Sequence, residues 1–137
     1  MKMPGRLQSF WVNMLVVSKY IAKHELAPLA RRITVQDILV GARKVANGLG
    51  IEIKASVPLG GVRFFKVRVG RHHEARMIVF VVTKTLKVVP VLIRLKKDKI
   101  FGMNMAMNNS LVIDMLIKNT NHVIDDLQNG AFEEFSF

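Results

Sequence analysis

The sequence predicts an α+β fold, a small twisted antiparallel β-sheet made of an N-terminal strand plus a C-terminal three-stranded meander, with helices packed on one face. Three observations carry this. Strand-like apolar runs at 62–69, 76–83 and 87–95 follow one another with connections short enough for antiparallel hairpins. Residues 34–47 and 111–128 carry helical apolar spacing. The chain of 137 residues is half hydrophobic, enough for a core without disulfides, and it has no cysteine.

The elements follow in order. Residues 10–17 are β-branched and aromatic and read as a strand. Residues 18–32 have helix-spaced Ile21, Leu26 and Leu29, but Pro28 argues against one long unbroken helix. Thr34-Val35-Gln36-Asp37 resembles a capping box, Ile38, Leu39, Ala42, Val45 and Ala46 form a stripe, and Gly48 and Gly50 supply the stop. Pro58-Leu59-Gly60-Gly61 marks a turn before the meander. Pro90 cannot donate to a ladder, so it predicts an edge position or a bulge. Asn108-Asn109-Ser110 starts the last helix, whose apolar positions are Leu111, Met115, Ile117, Val123, Ile124 and Leu127. The tail, 130–137, is expected to be disordered or a docking segment. Without repeats or linkers, the chain reads as one domain over 1–137, with its core at about 10–128 and a tail at 129–137.

No apolar run reaches the length of a membrane span. Lys2 and Arg6 before residues 10–17 faintly resemble a secretory signal, but Asn13 interrupts the run and Lys19 follows, so a cytoplasmic protein is expected.

Charge is the strongest functional signal. The net charge is +11, and residues 62–99 hold eleven basic residues against Glu74 and Asp98, a net of +9. A folded domain this basic favours a polyanionic partner, most commonly nucleic acid. Strand alternation sends Phe65, Val67 and Val69 one way and Phe64, Lys66 and Arg68 the other. Cations beside an exposed ring would suit single-stranded RNA; alternatively, Phe64 is a second-layer core residue. Arg76 opens an apolar strand with few acids nearby to pair it. His72 and His73 could move protons or simply be exposed turn residues. Neither cysteine nor a well-spaced carboxylate accompanies them, so no metal and no other cofactor is expected.

These residues resemble the RelE/ParE superfamily of type II toxin–antitoxin toxins, especially RelE-like and HigB-like mRNA interferases. The resemblance runs from Phe10-Trp11-Val12 and Ser18-Lys19 through Val35-Gln36-Asp37-Ile38-Leu39-Val40-Gly41-Ala42 and Gly48. Its strongest piece is Pro58-Leu59-Gly60-Gly61-Val62-Arg63-Phe64-Phe65-Lys66-Val67-Arg68-Val69. Arg76-Met77-Ile78-Val79-Phe80 and Arg94-Leu95-Lys96-Lys97-Asp98-Lys99 complete it. The resemblance implies metal-independent cleavage of messenger RNA, often on the ribosome, and an antitoxin protein as partner. It implies catalytic roles for Lys66, Arg68, Arg76 and Lys97, with His73 as an added candidate for proton transfer. RNA-binding roles are expected for Arg63, Phe64, Arg71, His72, Arg94, Lys96 and Lys99. The chain departs from the family pattern in two places. Ile100-Phe101-Gly102-Met103 carries no titrating group where many members have Tyr or His, and Arg71-His72-His73-Glu74-Ala75 replaces a glycine-rich segment. The alternatives are a ParE-like toxin that blocks a DNA-handling enzyme by protein contacts, and a non-catalytic RNA-binding protein.

Overall fold

The two most apolar runs of the sequence form the centre of a six-stranded sheet. The computed structural model describes residues 13–54, 57, 59–99 and 108–137; the expected sequence features at 10–12, Pro58 and 100–103 lie outside them. Strand β1 (Met14–Ser18) leads into α1 (Lys19–Ile21), which continues as a π turn (Ala22–Leu26) and a 3-10 turn (Ala27–Leu29). Then come α2 (Val35–Ala46), β2 (Ile51–Ile53), β3 (Val62–Val69), a 3-10 turn (Arg71–His73), β4 (Ala75–Val82), β5 (Lys87–Leu95), α3 (Ser110–Gln128) and β6 (Phe132–Ser136). The strand order is β2-β3-β4-β5-β1-β6.

The α+β class and the three meander strands match the sequence reading, and three features correct it. The sheet is mixed, because β1 pairs parallel with β5 while every other pairing is antiparallel. Two strands are added: the three-residue β2 is too short to show periodicity, and the acidic tail forms β6 on β1. Helices cover both faces. Residues 75–80 of β4 and 88–93 of β5 are all buried, so both sides of these strands need cover. On one face α2 packs so closely that a Cβ at Gly41 would strike Val69 and Met77. On the other, Leu127 of α3 shares a small cavity with Val16, Val82, Val89 and Phe132.

Local signals explain α2. Thr34 and Asp37 form the capping box in full, with Asp37 N–H donating to Thr34 Oγ1 at 3.2 Å and Thr34 N–H donating to Asp37 Oδ2 at 2.9 Å. At the other end Gly48 takes φ 80°, and the Gly48 and Leu49 N–H groups donate to Val45 and Lys44 carbonyls, a Schellman closure. Pro28 does not end the preceding helical segment; the helix changes winding and takes Pro28 into the first turn of its 3-10 end, where no N–H is needed.

The Pro90 expectation resolves to a bulge. Ile78 pairs with Leu92 and Val79 with Pro90, leaving Val91 as the extra residue. β1 lies beside β5 only at Lys87 and Val88. Beyond that point side chains satisfy the β5 backbone. Asn119 Nδ2 donates to Val91 O at 2.8 Å, and Ile93 N–H donates to Glu25 Oε1 at 2.8 Å. Glu25, only 2 % exposed, also accepts from Arg94 at 3.2 and 2.9 Å and from Asn119 at 3.2 Å. This accounts for the burial of Asn119 in α3; of the expected stripe Val123 is buried and Met115 and Leu127 pack against the core, Leu111 is exposed, and Val112, Leu116 and Thr120 join the buried face.

Removing the Glu25 carboxylate strands a guanidinium, an amide and a backbone N–H at once. Glu25→Ala is expected to cost about 3–5 kcal/mol, measured by urea denaturation; a loss under about 1 kcal/mol, a surface-pair value, would show the network is not structural.

Candidate nucleic-acid interface

Register brings three arginines together. Arg68 of β3 pairs with Arg76 of β4, and Arg76 pairs with Arg94 of β5. Directly opposed residues share one sheet face with Cβ atoms roughly 4.5–5.5 Å apart, and like charges so placed destabilise a sheet. The row therefore needs a compensating interaction.

Arg94 has one inside the protein. Its Nη2 lies 2.9 Å from Glu25 Oε2, and its Nη1 lies 3.9 Å from Asp98 Oδ2. Burial opposes its charge, but the Glu25 hydrogen bonds and charge, aided by Asp98 and Tyr20, raise its pKa above the ordinary arginine value. Arg76 shows the reverse. It is 8 % exposed, and burial first, then Arg68, push its pKa down. Among the described residues no carboxylate forms an ion pair with Arg76 or Arg68. Arg76 is instead aimed by carbonyls, its Nη1 donating to His73 O at 2.8 Å and to Ala75 O at 3.3 Å. Lys66, two residues along the same face of β3, is also pushed down, by burial and then by Arg76.

Lys66, Arg68, Arg76 and His73 line one groove of about 300 Å³. Val67, Lys44, Leu49 and Ile51 complete it, and the last three are site residues that the sequence does not single out. Lys44 reaches over the β3 edge, its Nζ 3.5 Å from Arg68 O. The Schellman closure then sets Leu49 beside it. Their signal was the Arg43-Lys44 pair in the last turn of α2 together with the stop at Gly48. His73 enters on a tight turn in which His72 and His73 adopt φ of 57° and 54°. This backbone region disfavours side-chain-bearing residues by roughly 1–2 kcal/mol each. A turn kept in that form holds the His73 carbonyl on Arg76.

The other expected residues lie elsewhere. Phe64 is 5 % exposed and packs edge-on against Phe80, with ring centroids 5.9 Å apart, so it belongs to the core. Arg63 sits on the opposite face, bonded to Glu52 at 2.9 and 2.6 Å and over the Phe65 ring at 5.4 Å. Lys96, Lys97 and Lys99 are exposed just beyond β5, outside the groove lining, and Lys96 N–H donates to Glu74 O at 2.8 Å. His72 is exposed, and Arg71 lines a different hollow. Tyr20 of α1 stacks on His122 of α3 and lies tilted against His24 of the π turn, outside the groove lining. A larger hollow of about 490 Å³ on the α2 face contains the Arg63–Glu52 pair, already neutralised, beside mainly apolar walls.

No helix among the described residues is long and apolar enough to cross a membrane. Comparison of the chain with profiles of known families, with curated proteins and with solved structures returns no match.

Lys66 gives a pH test. It holds its proton less tightly folded than unfolded, so unfolding takes up a proton between its folded value and the reference 10.5, and stability rises with pH across that window. Urea denaturation over this alkaline range should show wild type gaining on Lys66→Arg by at most about 1.4 kcal/mol per pH unit. Parallel pH profiles would contradict a depressed Lys66.

Proposed function

We propose that this protein binds RNA in the Lys66–Arg68–Arg76 groove and cleaves its backbone as a metal-independent endoribonuclease, the toxin of a type II toxin–antitoxin pair with a RelE-like fold. The observation that carries the reading is the arginine row, in which Arg94 has carboxylates and Arg68 and Arg76 have none among the described residues. Two guanidiniums held side by side without a counter-charge among the described residues suit a phosphodiester, which would relieve their repulsion. Three of the four residues that the sequence resemblance marks as catalytic, Lys66, Arg68 and Arg76, line the groove, while the fourth, Lys97, lies outside it. The β2 and β6 strands and the parallel β1–β5 pair add to the sheet the resemblance implies.

The chemistry is in-line transesterification. The ribose 2′ oxygen attacks the adjacent phosphorus, the bond to the 5′ oxygen breaks, and a 2′,3′-cyclic phosphate and a 5′ hydroxyl form. Arg68 and Arg76 stabilise the charge gained at the phosphorane. Lys66, whose neutral form burial and Arg76 favour, accepts the 2′ proton. His73 donates a proton to the departing 5′ oxygen. Cleavage acts on messenger RNA during translation in the cytoplasm, and an antitoxin protein restrains it.

A second reading has one observation in its favour. Leu49 and Ile51 are 71 % and 65 % exposed beside the groove, an apolar feature suited to a protein partner. This fits a ParE-like toxin that blocks a DNA-handling enzyme.

Mapping messenger RNA 5′ ends in a cell-free translation reaction separates the readings. Wild type should create new ends, and Arg76→Ala or Arg68→Ala should reduce them about 10²-fold or more. Omitting ribosomes then tests the need for translation. Intact messenger RNA under wild-type protein that still binds RNA would overturn the nuclease reading in favour of a binding role.

A further inference from the structure

The Arg71–His73 turn is shared by two grooves. His73 lines the groove of Arg68 and Arg76. Arg71, two residues earlier, lines a second hollow of about 530 Å³ with Arg31, Arg32 and Glu74 near the start of α2. The two are packed against one another through Gly70 and Ile33. Gly70, at φ 88°, packs so closely on Ile33 that a Cβ there would lie 2.7 Å from Ile33 Cδ1, and Ile33 directly follows Arg31 and Arg32.

The second hollow is also under-compensated. Its three arginines face two carboxylates. Asp37 closes the capping box on Thr34, and Glu74, partly buried, makes a long pair with Arg32 at 3.7 Å. Exposed Arg31 and Arg71 pair with no carboxylate among the described residues. The capping box already occupies the first donors of α2, so the arginine side chains would supply the attraction.

We infer that the two hollows are consecutive subsites of one track, whose ligand is an RNA strand several nucleotides long. One phosphate lies on Arg68 and Arg76, the backbone crosses the Arg71–His73 turn, and flanking phosphates lie on Arg71 and Arg31. The inference rests on the RNA reading above. It adds that a short oligonucleotide fills only half of the site.

The test is fluorescence anisotropy with labelled, non-cleavable 2′-O-methyl RNA of three and twelve nucleotides across a salt series. Wild type should bind the twelve-mer more tightly and with the steeper dependence of log Kd on log salt. Arg31→Ser with Arg71→Ser should flatten the twelve-mer slope by about 1.4, near 0.7 per cation lost, and shrink its advantage over the trimer. Arg31→Lys with Arg71→Lys should keep the slope. An unchanged twelve-mer slope in the serine variant, with Arg68→Ser still weakening both oligomers, would overturn the track and leave the RNA reading standing. Equal losses for both lengths would also overturn it, marking a diffuse field in place of a subsite. Failure of wild type to bind either oligomer would remove the RNA reading itself.

Discussion

The buried carboxylate of Glu25 is the constraint on which the rest of the molecule depends. β5 loses β1 as a neighbour beyond Val88, although β1 itself runs on to Ser18 against β6, and the bulge at Val91 further interrupts its pairing with β4. An exposed ladder could turn to water, but this one is buried, so its polar groups need protein partners. Glu25 takes the Ile93 N–H and, with Val91 O, holds Asn119, thereby tying the first helical segment, the sheet and α3 together. The same oxygens bind Arg94. One side chain thus completes the sheet edge and decides which member of the arginine row is neutralised.

The groove follows from that selection. Three aligned arginines would repel one another in any sheet. With Arg94 compensated, Arg76 and Arg68 are left without an ion pair among the described residues, and Lys66 lies two residues along the same face of β3. Arg76 is positioned by carbonyl dipoles, which orient a guanidinium without cancelling its charge. The left-handed His73 backbone contributes one of those carbonyls. Like charge and a left-handed turn both work against this arrangement, and an anion would relieve the repulsion without reorganisation of the donors.

Local signals were legible in the sequence. The capping box and the Gly48 stop delimited α2 within a residue, and three apolar runs located the meander. Lys66, Arg68 and Arg76 emerged from alternation and from the family resemblance, and the groove contains all three. What was not legible depends on residues far apart in the chain. Phe64 reads equally as an exposed ring or a core residue until Phe80 is placed across from it. Arg63 reads as free until the short β2 brings Glu52 beside it. Arg94 and Glu25 are 69 residues apart. In α3, Asn119 and Thr120 belong to the buried stripe because Asn119 serves the bulge, which no hydrophobic periodicity can indicate. β6 was hidden by Glu133 and Glu134, tolerable on an edge strand where Glu134 meets Lys87 at 3.0 Å.

The most direct measurement is an NMR titration of the arginine side-chain Nε–Hε signals of isotope-labelled protein with a non-cleavable RNA oligonucleotide. The Arg68 and Arg76 signals should shift together and saturate at one ligand concentration, while Arg94, held by Glu25, and Arg63, held by Glu52, stay in place. Uniform small shifts across all arginines, or shifts at Arg63 and Arg94 without Arg68 and Arg76, would contradict the claim that the uncompensated pair is the phosphate site.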